Sequence, residues 1–374
     1  MSDYPPAPSD TRFRNYPLNS WYVAATSDEV GNRLLGRQLL DLPVVLFRRE
    51  SGEIVAFEDR CAHRSMPLSS GRLDGDRIVC RYHGFAYDRT GACVLAPSQE
   101  RVPYGARLRK LPVHEDPPFV WIWIGGETRA GRVSPPVVSW LRDPGWATFG
   151  GTFHVAANYM LLHENSLDLT HMPFVHGDHA LQTYRGIPPP LVVEVSENSV
   201  SYCRVFPPLP LAQWQARAMG LAHDGEYEQR ELADFVQPGF HTDSIEVVVP
   251  AGDDGNAAKI LKKTSVRAYT PEGPTGTHVF WWVGRNFATD QPSVERDLRS
   301  VHEQIFSEDK DLVEEIQLHL RRYGPHRRAT TVNADIAGVK AYEIVRAMLA
   351  RERGRADVRS GYSLLRPWGR EVKT

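Results

Sequence analysis

The chain has 374 residues, with 44 basic against 46 acidic side chains and a net charge of −2, and is 41% hydrophobic and 24% charged. That balance excludes the basic footprint of a nucleic-acid binder and the polybasic patch of a membrane-surface protein, while the composition is that of a folded globular chain. The length exceeds what one core usually serves, so two domains are expected. Four cysteines, at positions 61, 80, 93 and 203, are too few for a disulfide framework and fit a reducing compartment. The opening MSDYPPAPSDTRFRNYPLNS lacks the apolar run of a signal peptide, and no stretch reaches about 18 apolar residues, so the expected location is the cytoplasm, away from membranes.

Residues 1–20 read as an extension. From Trp21 to about Gly126, short β-rich runs are split by turn signals: WYVAA, QLLDLPVVLFRR, EIVAFEDR, RIVC, FAYD and FVWIWIG, with turns at ESGE, LDGD and DRTG. This predicts a small all-β domain over 21–126. The Gly-, Pro- and Arg-rich stretch 127–146 reads as a linker to a second domain over 147–374. There the pattern predicts a helix over 158–172 that stops at the Met172–Pro173 step. Antiparallel strands follow in LVVEVSENSVSYCRVF, turning at Glu197 and Asn198, then in SIEVVVPA, KILKKTSVRAYT and THVFWWVGRNF. Two helices close the chain, over 294–322 and 334–352, the second with an apolar period at Ile336, Val339, Val345 and Met348. The fold class is α+β: an N-terminal all-β domain, then an antiparallel sheet covered by helices. In VFWWV, Trp281 and Trp282 face opposite ways, one expected in the core and one on a pocket wall.

Two motifs carry chemistry. Cys61 and His63 form a C-x-H pair, Cys80 and His83 a C-x-x-H pair, and sixteen residues separate them. Each pair falls in a loop after a predicted strand, so two neighbouring loops each present one sulfur and one imidazole. Zinc accepts two of each, but usually with cysteines two to four apart and histidines three to five apart. Alternation between two loops suits instead a two-iron, two-sulfide cluster, one iron taking both thiolates and the other both imidazoles. Its potential is expected on the order of −150 mV or higher, above an all-cysteine ferredoxin. Cys93 and Cys203 read as small buried hydrophobes.

The second motif is HENSLDLTHMPFVHGDH. Asp168 and His171 share a helical face, and His176 lies past Pro173, where a broken helix can turn it back. Two histidines and one carboxylate make the ligand set of non-heme Fe(II) oxygenases. The carboxylate is sought in VHEQIFSEDKDLVEEIQ, whose apolar stripe runs Val301, Ile305, Leu312, Ile316. Asp309 falls on that stripe, whereas Asp311 is turned about 200° away. A buried carboxylate is costly unless paired or metal-bound, which favours Asp309 and leaves Glu308 and Asp311 as solvated helix charges. Asn165 has an outer-sphere role or a simple capping one. His154, His163 and His179 read as hydrogen-bonded neighbours and not ligands.

CAHR followed by CRYHG resembles the Rieske cluster motif. Neither loop has the extra cysteine of respiratory-chain Rieske proteins, so the ferredoxin and oxygenase branch is the nearer likeness. With D-x-x-H-x-x-x-x-H and the late ED, most of the chain resembles the catalytic subunit of a Rieske non-heme iron oxygenase, and NSLDLTHMPFVH is most similar to the vanillate O-demethylase and dicamba monooxygenase branch. One departure is YHGF, where the family has tryptophan in place of Phe85. The resemblance implies a helix-grip catalytic domain, a Rieske [2Fe-2S] cluster on Cys61, His63, Cys80 and His83, and a mononuclear Fe(II) on His171, His176 and Asp309. It further implies Asp168 as a carboxylate bridging an iron histidine to a cluster histidine, His83, of a neighbouring chain in a homotrimer. Electrons are expected from NAD(P)H through a separate reductase or ferredoxin. With O2 they would hydroxylate, or O- or N-demethylate, a small aromatic substrate. A ring-hydroxylating dioxygenase with a small β subunit, and a Rieske electron-transfer or redox-sensing ligand-binding protein, are the other readings.

Overall fold

The computed structural model describes residues 16–236, 238–251, 257–323 and 330–352. Most of the expected N-terminal extension lies outside them. The chain divides into two compact units, residues 1–135 with 270–274, and residues 136–269 with 275–374.

The first unit holds eleven short strands: β1 (Ser20–Thr26), β2 (Leu35–Leu39), β3 (Leu42–Arg48), β4 (Ile54–Glu58), β5 (Arg72–Asp74), β6 (Arg77–Val79), β7 (Ala86–Tyr87), β8 (Cys93–Leu95), β9 (Lys110–Leu111), β10 (Val113–Asp116) and β11 (Phe119–Ile124). They form three antiparallel sheets ordered β1-β11-β10, β2-β3-β4-β9 and β5-β6-β7-β8. β1 and β11 are buried along their whole length, which explains why WYVAA and FVWIWI read as continuous apolar runs rather than alternating ones. The run QLLDLPVVLFRR is not one strand but a hairpin, because Leu40 and Asp41 both take positive φ (51° and 61°) and reverse the chain. The core of Val45, Phe47, Val55, Phe57, Ile78 and Tyr87 also takes in Cys61 and Cys80.

A short helix α1 (Glu127–Ala130) lies in the stretch read as a linker. The second unit is built on a seven-stranded antiparallel sheet of β12 (Ala147–Val155), β13 (Val192–Val195), β14 (Ser199–Pro210), β15 (Glu226–Val236), β16 (Phe240–Val249), β17 (Lys259–Gly273) and β18 (Gly276–Arg285), in the order β12-β18-β17-β16-β15-β14-β13. Its helices are α2 (Tyr159–Leu167), α3 (Met172–Val175), α4 (Gln213–Met219), α5 (Pro292–Tyr323) and α6 (Ile336–Glu352). α2, α5 and α6 pack on the sheet and α2 packs on both of the others. β12 can lie flat against β18 because Gly150 stands opposite Trp282, and a Cβ there would sit 2.2 Å from the indole ring.

Three sequence expectations are corrected. The helix read over 158–172 ends at Leu167, since Asp168 is extended (φ −135°, ψ 103°) and caps a new 3-10 turn, Leu169–His171. The buried face of α6 is Ala337, Gly338, Ala341, Ile344 and Val345, whose small residues allow close packing, while Val339 is exposed. On α5 the buried stripe is Leu298, His302, Phe306, Val313 and Gln317, one residue round from the stripe read through Val301 and Ile305. Asp309 lies on this true stripe, three after Phe306 and four before Val313.

Candidate metal centres

In the first unit, the loops after β4 and β6 bring the four cluster candidates to one end of the small sheets. Cys61 and Cys80 are each 2% exposed, whereas His63 and His83 stand at the surface with ring centroids 4.7 Å apart. The loops are matched turns. Ser65 N donates to Cys61 O at 2.9 Å and Gly84 N to Cys80 O at 3.1 Å, and Ser65 and Gly84 both carry positive φ. Burial, and then the neighbouring Cys61 sulfur, push the Cys80 thiol up. Tyr87 Oη lies 3.1 Å from Cys61 Sγ and accepts from Ala62 N at 3.2 Å, which leaves its proton for the sulfur. Phe85, the departure from the family tryptophan, is stacked on His63 at 4.7 Å and 15°. Two buried sulfurs below two exposed imidazoles fit a cluster with one thiolate-bound and one imidazole-bound iron.

In the second unit, His171, His176 and Asp309 come together with one ligand atom from each within 4.8 Å of the others. His171 Nδ1 sits 2.7 Å from the carbonyl of Asp168. A carbonyl only accepts, so the proton is on Nδ1 and the Nε2 lone pair faces inward. His176 is held in the same sense, Nδ1 2.8 Å from Glu308 Oε2. Both Nε2 atoms then stand 3.4 Å from Asp309 Oδ1. Burial opposes charge on Asp309, but His171 and His176 outweigh it and hold the carboxyl well below its usual range. Asn165 Nδ2 donates to the same Oδ1 at 3.0 Å, so Asn165 has an outer-sphere part in addition to its place on α2. Two imidazole lone pairs, each ring hydrogen-bonded on its far nitrogen, and one ionised oxygen that accepts from Asn165 fit a 2-His-1-carboxylate metal site.

Glu308 was expected in solvent and is instead the partner of His176, also accepting from Gln304 at 3.0 Å. Nothing in the helical period marks it, because it reaches across from the edge of the stripe. Asp168 meets His171 through its carbonyl, while its carboxylate accepts from Thr170 N at 2.9 Å. His163 is fully buried between Phe235 and Tyr269, apart from the triad. His154 pairs with His278 across β12 and β18, and the carbonyl of His179 accepts from Trp214. Asp311 is exposed, Cys93 buried and Cys203 half-buried. Trp281 packs into the core on Phe149 and Phe306. Neither it nor Trp282 lines the cavity at the triad, contrary to the expectation that one of them would.

Residues 20–112 match the Rieske [2Fe-2S] domain, and residues 155–351 match the vanillate O-demethylase oxygenase C-terminal domain. A vanillate O-demethylase oxygenase subunit from a Pseudomonas species is 33% identical over 353 residues, covering 91% of this chain and 97% of the relative. The chain belongs to the Rieske oxygenases. The oxygenase component of dicamba O-demethylase from Stenotrophomonas maltophilia is 32% identical over 80% of this chain and 87% of its own. The crystal structure of dicamba monooxygenase bound to 3,6-dichlorosalicylic acid superposes with a TM-score of 0.82 at 29% identity, covering 90% of this chain and 98% of that one. The protein is thus a terminal oxygenase subunit of this branch, an oxidoreductase that works with a Rieske cluster and a mononuclear non-heme iron.

The oxygenase opens a cavity beside the triad. Apolar walls come from Phe153, Leu162, Met172 and Phe306, and a polar one from β16 and β17 with Asp243, Lys263 and Arg267. Arg267 pairs with Asp243 at 2.7 Å. Tyr269 and Ser166, also in the wall, share a hydrogen bond at 2.6 Å.

Proposed function

We propose that this oxygenase holds its cluster on Cys61, His63, Cys80 and His83 and its mononuclear iron on His171, His176 and Asp309. We read its reaction as removal or hydroxylation of an alkyl group, on oxygen or nitrogen, of a small aromatic compound. The observation that carries this reading is the triad, whose two Nε2 lone pairs and one carboxylate converge at a largely apolar cavity. Relatives named for vanillate, dicamba and chloroacetanilide, all aromatic compounds, support the substrate class.

When bound, the cluster supplies single electrons and the mononuclear iron supplies the centre at which O2 is reduced. The chain's own residues set the conditions. The Asp168 carbonyl and Glu308 fix both imidazoles with Nε2 unprotonated, Asn165 holds Asp309, and the apolar wall excludes water around the reacting carbon. For a methyl ether the balance is R–O–CH3 + O2 + 2 electrons + 2 protons giving R–O–CH2OH and water. The hemiacetal then collapses to the phenol and formaldehyde.

The same reading takes the electrons from NAD(P)H through a separate reductase or ferredoxin. It places the domain limits at 20/21, 126/127 and 146/147. It makes the protein a cytoplasmic homotrimer in which the Asp168 carboxylate bridges towards His83 of a neighbouring copy. No helix among the described residues is long and apolar enough to cross a membrane. An aerobic screen of methoxy- and N-alkyl-aromatics with a surrogate reductase tests the reaction. Formaldehyde with the dealkylated product is the expected result; a ring diol, or no oxygenated product from any member, counts against it.

A further inference from the structure

The helix α4 (Gln213–Met219) is set into the connection between β14 and β15, and it is firmly seated there. Ala216 packs on Leu211 and Val247, while the amide oxygen of Gln215, a residue 1% exposed, accepts from Ala212 N at 3.2 Å. Trp214 and Ala218, four apart and so on one helix face, turn instead towards Phe149, Trp281 and Phe306. The Trp214 indole also packs on the cluster of Met172, Leu181, Tyr184 and Ile245. One half-buried side chain thus joins two cores, and it lines the cavity beside the triad.

The indole is pinned in that place. Its Nε1 donates to the carbonyl of His179 at 3.2 Å, and His179 N donates in turn to the carbonyl of His176 at 2.9 Å. Swinging the ring aside would break the first bond and pull its faces off both clusters, so it acts as a fixed wall. Its position follows from two neighbours. Lys263 Nζ lies 5.9 Å from the indole ring and 3.3 Å from His302 Nε2. His302 precedes Asp309 on α5 by seven residues, about 10 Å of helix axis. The indole therefore stands across the cavity from Asp309. Such a span takes one aromatic ring with its alkyl group at the metal end, and a second fused ring meets the indole.

We propose that Trp214 sets the size of substrate this oxygenase accepts, its pinned indole ending the cavity one aromatic ring away from the metal site. It admits single-ring alkyl ethers and amines and excludes fused two-ring ones. This rests on the oxygenase reading and names the substrate class within it. Trp214 is a specificity-determining residue in this scheme, acting through the shape of the cavity and not on oxygen.

The test is equilibrium dialysis of the protein, loaded with cluster and iron, against 4-methoxyphenol and 6-methoxy-2-naphthol, neutral ethers that differ by one ring. Hydrophobicity alone favours the larger one. The native protein should nevertheless bind the phenol about tenfold or more tightly. Trp214→Ala should reverse the order, the naphthol gaining about tenfold, since the lost indole leaves an apolar space of about one ring. Trp214→Phe, which keeps a ring without the N–H, should lie between. A variant that has merely lost stability weakens both ligands alike and leaves their ratio unchanged. Trp214→Leu reads the same wall if Trp214→Ala does not fold. Equal binding of the two by the native protein, a native preference for the naphthol, binding of neither, or an unchanged ratio in a folded variant overturns the proposal. Formaldehyde release from 4-methoxyphenol by the native protein with a surrogate reductase separates the two readings. Formaldehyde with an unchanged ratio in Trp214→Ala sinks only the size limit, whereas a reversed ratio without any oxygenated product sinks only the oxygenase reading.

Discussion

Glu308 Oε2 lies 2.8 Å from Nδ1 of His176, and the adjacent residue, Asp309, lies 3.4 Å from Nε2 of the same ring. Two consecutive carboxylates of α5 thus flank one imidazole from both sides, one as its orienting acceptor and one as its neighbour at the proposed metal site. Partners of this kind typically tune metal affinity or activity by about 10- to 100-fold. Glu308→Ala should therefore lower iron retention by about that factor, and Glu308→Gln, which keeps an acceptor oxygen, by less. Iron content after dialysis against a mild chelator, with cluster absorbance as the internal control, measures it; full iron retention in Glu308→Ala contradicts the assignment.

Tyr87 Oη, 3.1 Å from Cys61 Sγ, is placed to donate to a sulfur that, in the proposed cluster, gains negative charge on reduction. Loss of one such bond, worth about 1.4 kcal/mol, shifts a one-electron couple by about 60 mV. Tyr87→Phe should lower the cluster potential by roughly that amount. A spectroscopic redox titration of both proteins decides it, and an unchanged potential removes Tyr87 from the account.

Asp168 has two separate contacts, the carbonyl on His171 and the carboxylate on Thr170 N. Asp168→Asn keeps both, since an amide oxygen can still cap the turn, and changes only the charge. Both metal centres should stay occupied while turnover falls on the order of 100-fold. Retained turnover, read as product per minute with cluster and iron verified, counts against the bridging carboxylate.

Much of the site was legible in the sequence because metal ligands must be spaced for loops and helix turns. The two Cys/His pairs, the His171/His176 pair and Asp309, the ligands proposed here, are all reached from spacing and periodicity. Asp309 was reached through a stripe drawn one residue off. His302 and Gln317 occupy buried positions on α5, and their polarity hid the true face from a hydropathy reading. The same blindness applies to Glu308, Lys263 and Arg267, whose partners lie on other elements, and to the main-chain carbonyl of Asp168, which lies 2.7 Å from His171 Nδ1. The end of α2 was missed because Asp168 breaks the helix by its backbone angles, while Pro173, the visible punctuation, begins the next one.

Lys263 also has a pH signature. Burial pushes its ammonium down to about 8. Below that pH it is charged in both folded and unfolded chains and folding bears the full cost. Between about 8 and the ordinary value near 10.4, the unfolded chain holds more protons, so stability rises with pH. Lys263→Met should accordingly gain on the order of 3 kcal/mol relative to the native protein at neutral pH. The gain should shrink as pH is raised from about 8 to about 10.4. Denaturant midpoints of the two proteins across that range test the sign; a difference that does not move with pH contradicts it.

The central claim is that one chain carries a sulfide-bridged iron pair and a separate lone iron. Metal and sulfide analysis of the purified protein, with an electron paramagnetic resonance spectrum after reduction, addresses it most directly. The account predicts a Rieske-type signal, two irons with two sulfides for the cluster, and one further iron per chain that disappears in a His171→Ala, His176→Ala double variant while the signal remains. A protein without that signal, or with zinc in place of either iron, contradicts it.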